Sequence, residues 1–246
     1  MQNLSDRYFD EIERLLKKVR EQLPKIKEVA KVIADVIEGG GAVYVFGASH
    51  SGIMAEELFY RAGGLMLVNP IFAPGLMLNV RPVTLTSALE KLPGYGNVIL
   101  RNSGITPKDI LIVASVSGRN AVPVDVAMEA KKMDIKVIVL TSLAYTDSVT
   151  SRHPSGKKLV DLGDYILDYC GVPGDAILDV EGIPQKIGPT SSVTGLVILN
   201  SLIVGVIGEL IERGIVPPVF MSVNLDEGAE LNEKLMERYR DRIRYL

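Results

Sequence analysis

Residues 109–142 constrain the fold more than any other stretch of the chain, because they contain a strand, a polar loop, a helix and a second strand. The apolar residues 110–114 predict a buried strand, and residues 136–140 predict another. A helical segment follows the loop formed by residues 115–120. Two buried strands joined by a helix indicate a βαβ crossover, which places the strands parallel in one sheet.

The loop of this crossover has the composition of an anion site. Ser115 and Ser117 supply hydroxyl groups, and Gly118 lets the backbone approach a ligand closely. The helix that starts after Asn120 presents unpaired N–H groups and the positive end of its dipole. A dianionic phosphate ester suits such a loop. The alternative is an ordinary helix cap, because Ser and Asn are common N-cap residues.

A second loop of the same kind occurs earlier in the chain. Residues 42–46 predict a buried strand, and the segment that follows contains Ser49, His50 and Ser51 before a helical stretch. In a parallel sheet, the loops at the carboxyl ends of the strands lie along one edge. We therefore expect both serine loops to face a single crevice.

The whole chain is predicted to form one α/β domain over residues 1–246. Its 246 residues are 47% hydrophobic, with Val-, Ile- and Leu-rich strands that alternate with helices, a pattern typical of a parallel sheet buried on both faces. Apolar residues at helical spacing predict helices over residues 3–22 and 25–38, which form an N-terminal extension (1–38). A charged helix is predicted over residues 226–244.

Three motifs together resemble the sugar isomerase (SIS) domain family: GASHSG after the first strand, SVSGRN after a later strand, and VIVLTS at the end of the crossover. The resemblance covers roughly residues 25–215. It implies a three-layer αβα sandwich with a central, mostly parallel, flavodoxin-like sheet. It also implies that Ser115 and Ser117 hold a substrate phosphate and that Ser49 and Ser51 complete the site. Asn120 stands where Thr is commoner, and its carboxamide can still donate to a phosphate oxygen.

The candidate acid and base residues are Glu57, Glu90 and His50. Aldose to ketose isomerisation moves a proton between neighbouring carbons, which a buried carboxylate with a raised pKa can do. The resemblance implies a glutamate on the helix after the first loop, which makes Glu57 a candidate base, although pairing with Arg61 would leave it a surface residue. Glu90 is the second candidate. His50 would shuttle a proton during sugar ring opening, or remain solvated.

The resemblance supports a phosphosugar isomerase and leaves two alternatives open. One is a sensor or regulatory subunit that binds a sugar phosphate without catalysis, since a fold does not decide a function. Regulators of this kind join the SIS domain to a helix-turn-helix domain, for which the first 38 residues are too short and not basic enough. The other is a lyase or etherase acting on an amino-sugar phosphate, because GRNAVP resembles the etherase loop.

Composition argues against several other partners. The net charge of −3 and the lack of a basic cluster before the last helix make nucleic acid an unlikely partner. One Cys and two separated His predict neither a disulfide framework nor a metal site, and no dinucleotide or Walker A motif indicates a cofactor. The charged N-terminus does not resemble a signal peptide, so a cytoplasmic protein is expected.

The last expectation concerns the apolar stretch over residues 187–208. It contains no charged residue, but polar residues interrupt it, so its continuous apolar part is too short for a bilayer. We interpret it as a buried helix that starts near Pro189. This helix and the N-terminal helices carry more apolar surface than one α/β layer covers, which predicts a homodimer or homotetramer and no membrane association.

Overall fold

The computed structural model describes residues 3–246 and is built on a five-stranded parallel sheet. Its strand order is β2-β1-β3-β4-β5, and two further strands, β6 and β7, form a separate antiparallel hairpin. The strands are β1 (Val43–Gly47), β2 (Val68–Ile71), β3 (Ile110–Ala114), β4 (Lys136–Thr141), β5 (Tyr165–Asp168), β6 (Ala176–Leu178) and β7 (Ile187–Pro189). This arrangement confirms the predicted α/β class.

Helices cover both faces of the sheet. They are α1 (Leu4–Glu21), α2 (Leu23–Glu38), α3 (Ile53–Leu58), α4 (Thr84–Leu89), α5 (Tyr95–Arg101), α6 (Ala121–Lys132), α7 (Leu143–Asp147), α8 (Ser191–Glu212) and α9 (Gly228–Arg238). Helices α2, α3 and α8 pack together in one layer, and α5 packs with α6 in the other. The result is the three-layer sandwich expected from the sequence.

The crossover predicted from residues 109–142 consists of β3, α6 and β4. Every residue of β1 and β3 is buried, which explains why these strands are continuous apolar runs in the sequence. The two strands are neighbours, and their last residues, Gly47 and Ala114, lie opposite each other. Because adjacent strands are about 4.8 Å apart, the loops that follow them start side by side.

Some element bounds differ from the expectations. The helix after the first loop ends at Leu58, because the backbone of Phe59 becomes extended. Pro24 lies inside the first turn of α2, where a residue without an N–H is tolerated, and not between the two N-terminal helices. The C-terminal helix is shorter than the predicted range 226–244, and the β6–β7 hairpin was not predicted.

The C-terminal segment after α9 packs against the edge of the sheet that carries β2. The side chain of Asn69 accepts from the Arg244 N–H (2.7 Å) and donates to the carbonyl of Arg242 (3.0 Å). The Tyr245 hydroxyl donates to the Met66 carbonyl at 2.8 Å. Arg242 also donates to the Ile37 carbonyl near the end of α2. The last residues are therefore part of the folded core.

Helix α8 is the one described helix that is long and apolar enough to cross a membrane by length and composition. It packs against α2 and α3, and residues such as Ile198, Leu202 and Val206 are fully buried. Core helices of globular proteins commonly have this character.

Candidate functional site

The carboxyl edge of the sheet brings the two predicted serine loops together. The loop that follows β1 contains Ser49, His50 and Ser51, and the loop that follows β3 runs from Ser115 to Asn120. We call them the first loop and the second loop. Since β1 and β3 are adjacent and parallel, both loops leave the sheet at the same edge, as the sequence predicted.

The second loop is held in place through its carbonyl groups. Four consecutive carbonyls, from Val116 to Arg119, accept hydrogen bonds from later parts of the chain. The donors are, in order, the Ser142 N–H (2.9 Å), Thr146 Oγ1 (3.1 Å), the Leu159 N–H (2.8 Å) and the Arg152 N–H (2.8 Å). Thr141 Oγ1 adds a second bond of 3.2 Å to the Val116 carbonyl. The loop backbone is therefore fixed before any ligand binds.

The N–H groups of the same loop are unused. Across residues 3–246, the structure provides no hydrogen-bond acceptor for the backbone N–H of Ser117, Gly118, Arg119 or Asn120. The side chain of Asn120 does not cap α6 either. A fixed loop with consecutive free N–H groups at a helix N-terminus is suited to an anion.

Gly118 gives this loop its shape. Its φ of +60° lies in the left-handed region, where a side chain is unfavourable. A Cβ atom at this position would lie 3.2 Å from Thr141 Oγ1 and 3.3 Å from Leu159 Cβ. Glycine is therefore needed both for the backbone conformation and for the close packing of the loop on β4.

The first loop is similarly constrained. Ser49 has a φ of +52°, and its N–H donates to the Leu76 carbonyl at 2.8 Å. Its hydroxyl is buried without a hydrogen-bond partner in the described chain. Buried polar atoms are rarely left unpaired, so an orphaned hydroxyl in this loop indicates a place where a ligand or water binds.

Tyr169 adds a polar group that the sequence analysis did not identify. It follows β5, its side chain is fully buried, and its hydroxyl has no hydrogen-bond partner in the described part of the chain. The hydroxyl lies close to Ser51 of the first loop. Burial raises the pKa of Tyr169, so the phenol stays protonated and is available as a donor.

Glu90 lies beside the second loop. Its side chain is half-buried and lies near Asn120, whose Oδ1 accepts from Arg152 Nη1 at 3.0 Å. The Glu90 carbonyl accepts from the Val122 N–H in the first turn of α6 at 3.0 Å. Burial raises the pKa of Glu90, and the nearby Asn120 amide and the charges of Lys91 and Arg152 oppose this shift. A carboxylate with a raised pKa next to an anion-binding loop is a candidate proton acceptor.

Glu57 is placed differently. On α3, its carboxylate pairs with Arg61 and accepts a 3.0 Å hydrogen bond from Asn200 Nδ2. Asn200 lies more than two turns into α8, whereas α8 begins at the loop edge with Ser191. Both partners therefore hold the Glu57 carboxylate on the helical layer and away from the loops.

The two histidines have contrasting surroundings. His50 is exposed in the first loop, in a short 3-10 turn. The side chain of His153 is largely enclosed, with its Nε2 3.0 Å from Asp125 Oδ1 on α6. Within the described residues, no group of three or more His, Cys, Asp or Glu side chains could hold a metal ion.

A parallel αβα sandwich with two hydroxyl-bearing loops at one edge defines the structural class. Residues 7–142 match the SIS domain family. A UPF0309 protein from Shouchella clausii is 46% identical over 242 residues, which cover 98% of each chain. The chain therefore belongs to the SIS-domain family, as its motifs predicted.

Solved structures show the same fold at low identity. A phosphoheptose isomerase from Francisella tularensis has a TM-score of 0.54 and 19% identity, covering 84% of this chain and 98% of that one. The sugar isomerase domain of an RpiR transcription factor from Sphaerobacter thermophilus has a TM-score of 0.50 and 15% identity, covering 98% and 99%.

Proposed function

We propose that this protein binds a phosphorylated sugar at the loop edge and interconverts its aldose and ketose forms. The observation that carries the proposal is the second loop, in which four consecutive carbonyls (116–119) accept hydrogen bonds while the N–H groups of residues 117–120 and the Ser115 and Ser117 hydroxyls have no partner in the described chain. Such a group of donors fits the three oxygens of a phosphate ester. The buried, unpartnered hydroxyls of Ser49 and Tyr169 offer further donors for the sugar.

The family supports this proposal without deciding between an enzyme and a sensor. One structural relative is named a phosphoheptose isomerase, and another is the sugar isomerase domain of a transcription factor. At this level of identity the comparison shows the fold alone. Whether the protein is an enzyme or a sensor depends on whether its site contains a proton acceptor.

We assign the proton acceptor to Glu90. Its pKa is raised by burial, and its side chain lies near Asn120 of the second loop. In the proposed reaction, the Glu90 carboxylate takes the proton from the carbon beside the carbonyl, and the electron pair forms an enediolate. A proton passes from the hydroxyl oxygen on that carbon to the former carbonyl oxygen, and the Glu90 acid returns its proton to the former carbonyl carbon, which forms the ketose and restores the base. Glu57 is the second candidate, with its carboxylate engaged by Arg61 and Asn200.

His50 is proposed to assist ring opening. It is exposed in the first loop, between the two serines, so a sugar in the crevice can reach its imidazole. An imidazole near neutrality can take the proton of the anomeric hydroxyl and return it to the ring oxygen. No cofactor is needed for this chemistry. We place the protein in the cytoplasm, where sugar phosphates are made and consumed.

Two measurements test the function. Thermal-shift screening of pentose, hexose, heptose and amino-sugar phosphates identifies ligands, and NMR in D2O follows each ligand over time. An isomerase incorporates deuterium at the carbon beside the carbonyl. Binding without exchange for every ligand would support a sensor, and release of a substituent from an amino-sugar phosphate would support a lyase. If no phosphorylated sugar binds, the proposal fails.

A further inference from the structure

The segment over residues 150–158 is bonded to the second loop. The Arg152 N–H donates to the Arg119 carbonyl at 2.8 Å. Within the segment, Ser151 Oγ donates to the Lys157 carbonyl at 2.6 Å and accepts from the His153 N–H at 3.0 Å. The backbone that carries Arg152 is therefore held against the loop in a fixed conformation.

A largely buried hydrogen bond between His153 and Asp125 fastens the same segment to α6. The side chains of His153 and Asp125 are 9% and 6% exposed, and His153 Nε2 lies 3.0 Å from Asp125 Oδ1. His153 Nδ1 accepts from the Ser155 N–H at 3.0 Å, which leaves the proton on Nε2 to be donated to Asp125. Asp125 also accepts from the Gly94 N–H at 2.6 Å. Arg152 is thus next to a residue, His153, that is hydrogen-bonded to α6, the helix that starts at the second loop.

The guanidinium of Arg152 is held by one hydrogen bond, and most of its N–H donors have no partner in the described chain. One nitrogen, Nη1, donates to Asn120 Oδ1, the side chain that precedes α6. Among residues 3–246, Arg152 forms no salt bridge, and Glu90 acts on it only at longer range. A guanidinium has five N–H donors in a planar fork that matches phosphate or carboxylate oxygens. Its remaining donors are free for an anion.

We propose that Arg152 is a second charged contact, beside Arg119, for the phosphate bound by the second loop. This inference rests on the proposed function and adds a residue to it. The loop itself carries one cation, Arg119, whose Nε is buried without a hydrogen-bond partner in the described chain and whose Nη2 lies 3.5 Å from Thr150 Oγ1. A phosphate ester carries up to about two negative charges, so Arg119 alone leaves one of them without a paired positive charge. Arg152 supplies that charge from a rigid segment, at the side of the loop where Asn120 and Glu90 lie. It thereby favours dianionic phosphate esters over neutral or singly charged sugars.

The test is calorimetric titration with inorganic phosphate and with glucose 6-phosphate at several NaCl concentrations. We expect R152Q to weaken binding roughly 10- to 100-fold, because it removes charge-assisted hydrogen bonds. R152K should recover part of the affinity, since it keeps the charge and loses the fork. The control is K157Q, which removes an exposed cation from the same segment. It should bind within about twofold of the wild type.

The salt dependence separates a direct contact from a structural role. Loss of a charge contact with the ligand makes the affinity of R152Q less sensitive to NaCl, whereas a disturbed loop would weaken binding at every concentration without changing that slope. If R152Q keeps wild-type affinity and slope while serine variants of the second loop lose binding, the Arg152 assignment is wrong and the loop site stands. If the wild-type protein binds neither probe, both proposals fail.

Discussion

Asn200 on α8 donates a 3.0 Å hydrogen bond to the carboxylate of Glu57 on α3, which also pairs with Arg61. The Glu57 carboxylate therefore links α3 to α8, and its hydrogen-bonding capacity is used by Asn200 and Arg61. This relationship separates the two candidate glutamates, because Glu90 has no cation within ion-pair distance among the described residues and borders the second loop.

Glu57→Gln and Glu90→Gln should differ in turnover. The amide in Glu90→Gln keeps the shape and cannot accept a proton from carbon, so turnover should fall about 100- to 10,000-fold with little change in affinity. Glu57→Gln should keep turnover within severalfold and cost less than about 1 kcal/mol of stability, since its ion pair is partly exposed. NMR exchange rates in D2O provide the measurement. The reverse outcome would assign the base to Glu57.

Ser115→Ala combined with Ser117→Ala should remove most of the affinity for a phosphate ester. Two charge-assisted hydrogen bonds, at roughly 1.5 to 3 kcal/mol each, correspond to at least about a hundredfold weaker binding. Titration calorimetry measures this loss. Ser148→Ala is the matched control, because the exposed Ser148 hydroxyl bonds only its own helix end, at the Tyr145 carbonyl. Unchanged affinity in the double variant would refute the loop assignment.

Glu90→Gln should also change how stability depends on pH. The raised pKa of Glu90 means that the unfolded chain releases this proton before the folded protein does. The free energy of unfolding of the wild type therefore falls as pH rises from the ordinary glutamate pKa through the raised one. Glutamine does not titrate, so the stability of the variant relative to wild type should rise as pH increases above the ordinary glutamate pKa. Urea unfolding at a series of pH values from the ordinary glutamate pKa upward tests this, with exposed Glu56→Gln as control.

Gly118→Ala should impair both stability and binding. Gly156 has a similar positive φ, +73°, and no atom lies within 4 Å of the place that its Cβ would take, whereas Gly118 is crowded by Thr141 and Leu159. Gly156→Ala should thus report only the backbone cost, about 1 to 2 kcal/mol. Gly118→Ala should cost more and weaken phosphate binding. If both variants lose the same stability and Gly118→Ala still binds phosphate, close packing at Gly118 is not needed for stability or binding.

The exposed face of α8 should form a contact between copies of the chain. Val193, Val197, Val204 and Ile211 are exposed at helical spacing, next to an apolar groove of about 590 Å³ between α2 and α8. Val204→Glu should convert an oligomer to a monomer in light scattering, because it places a charge in this face. Val216→Glu, in a loop after α8, is the control. A monomeric wild type would refute the prediction.

Hydrophobic patterning was sufficient to predict the sheet and the position of its two loops. The runs at β1, β3 and β4 are continuous, and parallel topology then places Ser49 and Ser115 at one edge. These inferences need only local sequence and the handedness of crossovers.

The cluster of Glu90, Asn120 and Arg152 could not be predicted in the same way. These side chains come from three separate segments, two of them irregular, and no periodicity relates them. Tyr169 was missed because an aromatic residue after a strand is usually part of the core, and only the structure shows its unpaired hydroxyl near Ser51.

The packing of residues 242–245 against β2 determines when this edge of the sheet is covered during synthesis. Because Arg244 and Tyr245 bond to Asn69 and Met66, the edge of the sheet at β2 is covered only after residues 242–245 have been synthesised. Until then β2 is an uncovered edge strand, which can pair with other chains. A chain lacking residues 240–246 should retain that exposed edge, which hydrogen exchange at β2 would detect.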